Sequence, residues 1–343
     1  MNKKILFDFG HPAHVNFFKP AITQLLKEQY DIHISVLNRG KLPDIVKREF
    51  SGFPVYVLGK HQGTVFSILW EANIKKLLEL RKLCAKIKPD IGVAVYGFLM
   101  GAAMRLRGRP NIQFSDDPER KINTRLQKWT ASILSFPIFF TSPKGKIQRF
   151  RALKEWAYLS PDYFTPNVEA LKEYDLEPKK YIFVREVSNG SLNYQGQAAN
   201  VVAQFANKFP RDYKVILSLE DKKTANQYPE NWIILKEPVK DIHSLIYYSK
   251  CVVSSGDSMA REGAMLGVPS IYCGFRIMLA NKVMQDEKML LCDTPENTVQ
   301  LMQQIVDGTF SFECQDIFRG RLREEWEDVT QYTINLIKKY TLQ

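Results

Sequence analysis

Short runs rich in Val, Ile and Phe alternate with helix-patterned runs, and the alternation is played through twice along the chain. The first series is KILFDFG (4–10), IHISVLN (32–38), PVYVLG (54–59), DIGVAVYG (90–97), NIQFSDD (111–117) and FPIFFTSP (136–143). Between them, the clearest helical pattern places Leu77, Leu80, Cys84 and Ile87 on one face. Apolar strands separated by helices require crossover connections, and crossovers make a parallel sheet with helices on its faces. The rhythm restarts after SPDYFTPNVEALKEYDLEPKK (160–180), a stretch with three prolines. The second series is YIFVREV (181–187), KVILSLE (214–220), WIILKE (232–237), CVVSSG (251–256), PSIYCG (269–274) and a short MLLCD (289–293). The expected fold is therefore α/β, with two doubly wound, Rossmann-like parallel-sheet domains facing a central cleft. The expected division is 1–165, 166–320 and a C-terminal helix, 321–343, that crosses back to the first domain.

Charge separates the two halves. Residues 1–165 hold 27 Lys and Arg against 13 Asp and Glu, whereas residues 166–343 hold 21 against 24. A basic half suggests an anionic partner, such as a phosphorylated substrate or an anionic membrane surface, against the plainer reading of a lysine-rich solvated face. No zinc-finger, RRM or KH signature accompanies the charge, so nucleic acid is not the expected partner. No apolar run reaches the ~20 residues of a membrane span, and strand-like KKILFDFG begins where a signal peptide would lie. The five cysteines are scattered, with no C-x-x-C pair, which suits reduced thiols in a cytoplasmic protein. Neither a Walker A motif nor G-x-G-x-x-G occurs, which argues against a P-loop NTPase or a nicotinamide enzyme.

The stretch most charged with chemistry is SSGDSMAREGAMLGVPSIYCG (254–274). Ligands of doubly wound sheets sit at the carboxyl ends of the strands. Ser254, Ser255, Gly256, Asp257 and Ser258 form the turn at such an end, and a helix opens there, with Asp257 or Ser258 expected as its N-cap. Helix N–H groups and the positive end of the dipole suit a diphosphate. Glu262 lies one turn into the helix, where a carboxylate accepts hydrogen bonds from ribose hydroxyls. Gly267 and Pro269 end the helix. The plainer alternative is an ordinary Ser-Gly helix start with a surface glutamate.

The run from Ser255 and Gly256 through Glu262 and Ala264 to Gly267 and Pro269 resembles the donor-nucleotide segment of GT-B glycosyltransferases, the MurG-like group especially. In that group the turn holds the diphosphate and the glutamate the ribose. The non-hydrolysing UDP-N-acetylglucosamine 2-epimerases carry a similar segment, one residue shorter, usually with Glu-Glu where this chain has Arg261-Glu262. A match running almost end to end is to the GT-B-like family known as domain of unknown function 354. It is carried by HPAHVNFFKP (11–20), GKHQG (59–63), FSDDPER (114–120), YIFVRE (181–186) and the segment above.

The remaining candidates lie at other strand ends. His14 is the expected base that takes a proton from an acceptor hydroxyl, and His11 and Asn16 are acceptor-side neighbours; one histidine could instead cap a helix starting near Asn16. Asp116 and Asp117 are expected either to serve as base or orienting carboxylate, or to cap the helix begun by Pro118. An adjacent Asp pair also raises a divalent cation, but nothing else completes an oxygen cage, so no metal and no cofactor are expected. Arg185 is expected to neutralise a leaving diphosphate, with Arg276 as a second choice and a salt bridge of Arg185 to Glu186 or Glu220 as the alternative. Lys60 and His61 are candidates to contact an anionic acceptor.

Together these imply a metal-independent glycosyltransferase that moves sugar from a nucleotide-diphosphate sugar, UDP-sugar included, to an anionic or lipid-linked acceptor of the cell envelope or a surface polysaccharide. It would be cytoplasmic and peripheral at the inner face of the membrane. The alternatives are a sugar-nucleotide 2-epimerase and a catalytically silent GT-B-like binding protein.

Overall fold

A computed structural model describes residues 2–59, 73–115, 121–140, 147–188, 196–236 and 239–341. The chain forms two compact units. One is Met1–Tyr158 with Trp326–Gln343, the other Leu159–Glu325.

The first unit is built on seven parallel strands: β1 (Lys4–Phe9), β2 (Asp31–Leu37), β3 (Val55–Leu58), β4 (Ile91–Val95), β5 (Asn111–Phe114), β6 (Ile133–Pro137) and β7 (Ile147–Phe150). Their order is β3-β2-β1-β4-β5-β6-β7. The chain moves outward from β1 on one side and then outward from β4 on the other, so the switch point, where such sheets take their ligands, lies between β1 and β4. The described helices are α1 (Pro12–Lys27), α2 (Leu42–Glu49), α3 (Lys76–Ile87), α4 (Phe98–Arg105), α5 (Lys121–Thr130) and the four-residue α6 (Trp156–Leu159). Strand β7, IQRF, is absent from the sequence expectation. Four residues with only Phe150 fully buried carry too little pattern to announce a strand, and its pairing to β6 creates it.

Half of the HPAHVNFFKP motif is core. Phe17 and Phe18 of α1 are fully buried and pack on Phe7 and Phe9 of β1 and on Phe114 of β5, with centroids 4.6–5.9 Å apart across the cluster. The opposite face of β1 carries a buried charge. Asp8 Oδ2 meets Lys76 Nζ, at the start of α3, at 2.9 Å, and Ser35 Oγ on β2 donates to Asp8 Oδ1 at 2.8 Å.

The second unit has six parallel strands: β8 (Tyr181–Glu186), β9 (Lys214–Leu219), β10 (Ile233–Ile234), β11 (Cys251–Ser254), β12 (Ser270–Tyr272) and β13 (Leu290–Cys292). Their order, β10-β9-β8-β11-β12-β13, repeats the first pattern, with the switch between β8 and β11. Its helices are α7 (Ile242–Tyr247), α8 (Asp257–Met265), α9 (Leu279–Asp286), α10 (Pro295–Val306) and α11 (Gln315–Glu325). Helix α8 lies close on its sheet because Gly263 has no side chain: a Cβ there would stand 2.5 Å from Ser270 Oγ and 2.8 Å from a Val252 methyl. The helix ends at Gly267, whose φ of +72° only glycine adopts cheaply, with Val268 N bonded back to Gly263 O.

The last helix, α12 (Val329–Thr341), belongs to the first unit and packs on α1. Lys338 pairs with Glu28, Thr330 Oγ1 donates to Ala157 O at 2.7 Å, and Trp326 stands edge-on to Trp156 at 5.4 Å. All five cysteines are free thiols; Cys84, Cys251 and Cys273 are buried, and burial pushes Cys84 up to about 11 and Cys251 up to about 12, so they pack as small apolar groups.

Candidate functional site

In the second unit the chemistry gathers at the carboxyl end of β11, beside β8. Glu186, the last residue of β8, is 1 % exposed and surrounded by donors. Its Oε1 accepts Ser255 Oγ–H at 2.6 Å; its Oε2 accepts Val202 N–H at 2.7 Å and the Tyr228 hydroxyl at 3.0 Å. Ser255 Oγ in turn accepts Val187 N–H at 3.0 Å, and Ser255 N donates to Arg185 O. Ser254 Oγ bonds the Gly256 backbone on both sides, accepting from its N–H and donating to its O. Both hydroxyls expected to meet a ligand are thus spent on holding the turn in shape.

Ser255→Ala is accordingly expected to act on folding. It removes a donor from a buried carboxylate and an acceptor from Val187 N–H, a loss of about 1–3 kcal/mol in urea unfolding at pH 7. Burial pushes Glu186 above the ordinary carboxylate range, and the donors, Ser255 first, oppose this. Loss of Ser255 raises Glu186 further, and a carboxylate raised in the folded state costs stability as pH climbs through that window. The variant's deficit should therefore grow as pH rises above the ordinary carboxylate range.

The N-cap of α8 is Gly256, not Asp257 or Ser258, and has no side chain to cap with; Asp257 Oδ1 accepts the Ser258 N–H at 2.7 Å. Gly256 is extended (φ −105°), a conformation open to any residue, so what glycine supplies is the missing side chain. Asp257 is the first helical residue, buried, and Ser258 is exposed beside it. Arg276, in the connection from β12 to α9, reaches Asp257: Nη1 to Oδ2 is 2.7 Å. An arginine therefore does stand at the turn, but it is Arg276. Arg185 donates instead to Glu220 Oε2 at 2.9 Å and to Ser218 Oγ, its neighbour on β9, at 3.1 Å.

Glu262 is buried, one turn into α8, where His243 of α7 meets it: Nε2 to Oε2 is 3.5 Å. Arg261, buried on the same helix, donates to Asn281 Oδ1 on α9 at 2.9 Å. Sequence reasoning missed His243, Glu186 and Gln197, whose Nε2 donates to Ser255 O at 3.2 Å. Each lies 19 to 69 residues from its partner in the chain, and no local pattern joins them.

In the first unit, β1 runs into α1 through Gly10 and His11. His11 is the N-cap: its Nδ1 accepts Ala13 N–H at 3.2 Å, so the helix starts at Pro12 and not near Asn16, which lies inside it. His14 is 7 % exposed and its Nδ1 accepts Gly10 N–H at 3.2 Å, which puts the neutral ring's proton on Nε2. Across the switch point, Tyr96 follows β4 with φ +52°, a conformation rare for a bulky residue and common at ligand sites. VAVYG held a signal for it only in its glycine. Asp116, Asp117, Lys60 and His61 lie outside the described residues. Among the described residues no group of three or more His, Cys, Asp or Glu gathers as a metal site does. Nor, among them, is any helix long and apolar enough to cross a membrane.

The model of the family described as "Protein of unknown function (DUF354)" matches residues 3–309. An uncharacterized protein of Methanocaldococcus jannaschii, MJ0665, is 23% identical over 287 residues, covering 80% of this chain and 82% of its own. Among solved structures, the spinosyn forosaminyltransferase SpnP superposes with a TM-score of 0.71 at 12% identity over the whole of both chains. The UDP-N-acetylglucosamine 2-epimerase of Rickettsia bellii gives 0.69 at 13%, covering 99% of this chain and 97% of its own. The MurG of Acinetobacter baumannii gives 0.60 at 16%, covering 98% and 99%. The fold is that of the GT-B glycosyltransferases and these epimerases: two α/β domains, each on a parallel sheet.

Proposed function

The chain belongs to the DUF354 family, and on that premise we propose that it is a metal-independent glycosyltransferase that takes its sugar from a nucleotide-diphosphate sugar. The observation that carries this is the start of α8 at the switch point of the second sheet. It is a helix N-terminus whose N-cap is a glycine, with an arginine beside it and a buried glutamate one turn in. First-turn N–H groups bind the diphosphate. Arg276 offsets the negative charge of Asp257, which would otherwise repel that diphosphate, and both arginine and dipole stabilise the charge that develops on the leaving group. Glu262 accepts the ribose hydroxyls, with His243 holding its carboxylate in place. Ser254, Ser255 and Glu186 fix the turn, and Arg185 contributes its carbonyl to that frame. The first unit takes the acceptor, an anionic or lipid-linked one of the cell envelope or a surface polysaccharide. His14, Asp116 and Asp117 are candidates for proton transfer; His11, Asn16, Lys60 and His61 are candidates for acceptor contact. The protein works on the cytoplasmic face of a membrane as a peripheral protein.

A thermal-shift screen against UDP-, GDP-, CMP- and dTDP-sugars tests the donor assignment: saturating a folded-state site at 100 times Kd adds about 2.7 kcal/mol. Stabilisation by none of them would remove the reading. Glu262→Ala should then weaken binding of the identified donor by about 1.5–3 kcal/mol with an unchanged melting curve for the free protein. Unaltered donor affinity in the titration would mean that Glu262 does not touch the ribose. The epimerases of this fold supply the competing reading, and incubation of donor without acceptor separates the two, since only an epimerase returns an intact nucleotide sugar inverted at C2.

A further inference from the structure

Helix α5 of the first unit is inside out. Its sheet-facing side is polar: Thr124 and Gln127 are buried, Gln127 Nε2 donates to Phe114 O, and Thr130 Oγ1 accepts from Gln113 Nε2. Asn111 Nδ2 donates to Thr130 O, and Gly101 of α4 closes on this network, since a Cβ there would stand 2.1 Å from Gln113 Nε2. The polar side is thus turned to the sheet and bonded to it through Gln127 Nε2, Thr130 and Gln113 Nε2. The outward side carries what a helix normally hides: Ile122 is 77 % exposed and Trp129 is 80 % exposed. They are seven residues apart, two turns along one face. The end of α4 lies alongside, tied to α5 by Arg105 Nη1 donating to Trp129 O, and adds Leu106, 66 % exposed. The same two segments carry Arg105, Arg107, Lys121, Arg125 and Lys128, all exposed, with no acidic residue in 105–109 or 121–130; Arg109 beside them pairs with Asp90 at 3.8 Å.

The geometry points to this face as a membrane-docking surface for an anionic bilayer: Ile122, Trp129 and Leu106 enter the interface and the five cations meet lipid phosphates. An exposed indole flanked by cations is the composition that seats a helix in the headgroup region. Five cations, none ion-paired to a carboxylate among the described residues, are complementary to an anionic surface and repel a second copy of the same face. The inference rests on the reading of the first unit as the side that meets a lipid-linked acceptor, and it names the residues that bring the protein there.

The test is co-sedimentation of the full chain with phosphatidylcholine vesicles, with and without phosphatidylglycerol. Binding is expected only with phosphatidylglycerol, and it should fall as salt rises from ~0.1 M, where the Debye length is ~10 Å, to ~1 M, where it is ~3 Å. The variant I122A/W129A should bind at least about tenfold more weakly, and K121Q/R125Q/K128Q should lose the salt dependence together with most of the binding. All five positions are exposed, and unchanged melting curves will confirm folding. Equal sedimentation on neutral vesicles, or wild-type binding by both variants, overturns the assignment. So does a concentration-dependent dimer in sedimentation velocity that I122A/W129A abolishes, for the face then belongs to a second copy. Nucleotide-sugar binding, a property of the second unit, is measured in the same variants. If vesicle binding is absent while donor binding persists, the docking surface fails and the glycosyltransferase reading stands.

Discussion

His14→Ala is expected to lower kcat for sugar transfer by about 10²–10⁴-fold with donor affinity unchanged. The ring sits at the carboxyl end of β1, beside the first sheet's switch point, and is almost wholly buried. Its Nδ1 is engaged by Gly10 N–H, so as it stands the ring presents a donor at Nε2. To take up the acceptor's proton it must gain one at Nδ1 and give up the Gly10 bond, which costs about 0.5–1.5 kcal/mol. His14→Asn separates the two roles. An amide oxygen still accepts from Gly10 but carries no proton in the reaction. Turnover lost in both variants supports proton transfer, whereas full turnover in His14→Asn would reduce His14 to a turn anchor. His11→Ala should lower stability, because His11 caps α1, and should lower kcat less than His14→Ala does.

Lys76→Met should be the costliest single change for folding, at about 3–5 kcal/mol, since it strands a buried charge. Asp8 and Lys76 are both about 5 % exposed, and without the ammonium Asp8 keeps, among the described residues, the Ser35 hydroxyl. The pair ties α3 to β1 two residues before Gly10, so its loss is felt where His14 sits. Asp8→Leu combined with Lys76→Met removes both charges, and well-packed apolar replacements for a buried pair are often neutral. A double-mutant cycle in urea should therefore show the double variant more stable than either single one. A cost below about 1 kcal/mol for Lys76→Met would mean that water reaches the pair.

The parallel sheets, their doubling and the place of the main turn were legible in the sequence, because each rests on a local pattern. Val- and Ile-rich runs at crossover spacing leave few other folds. Gly267 before Pro269 ends a helix wherever it stands. Gly256 ahead of Met259, Ala260 and Ala264 announces a strand-turn-helix whatever surrounds it. The tail's helices were visible as well, although 321–343 resolves into the end of α11 and α12, and α11 belongs to the second unit.

What the sequence left open is every matter of which side chain meets which. Arg185 was expected at the diphosphate turn, but its side chain is bonded to Ser218 and Glu220, and the turn's arginine came from Arg276, nineteen residues after Asp257. Ser255 was expected to face a ligand and is bonded to Glu186, sixty-nine residues away. Helix α5, read by hydrophobic periodicity, would put Ile122 and Trp129 in the core. Strand β5 offers the Asn111 and Gln113 amides there instead, and a polar helix face bonds them where an apolar one would leave them unpaired. Local periodicity fixes what a segment becomes. Which groups neutralise, bond or expose one another is decided by neighbours that the chain brings together only once both sheets have formed.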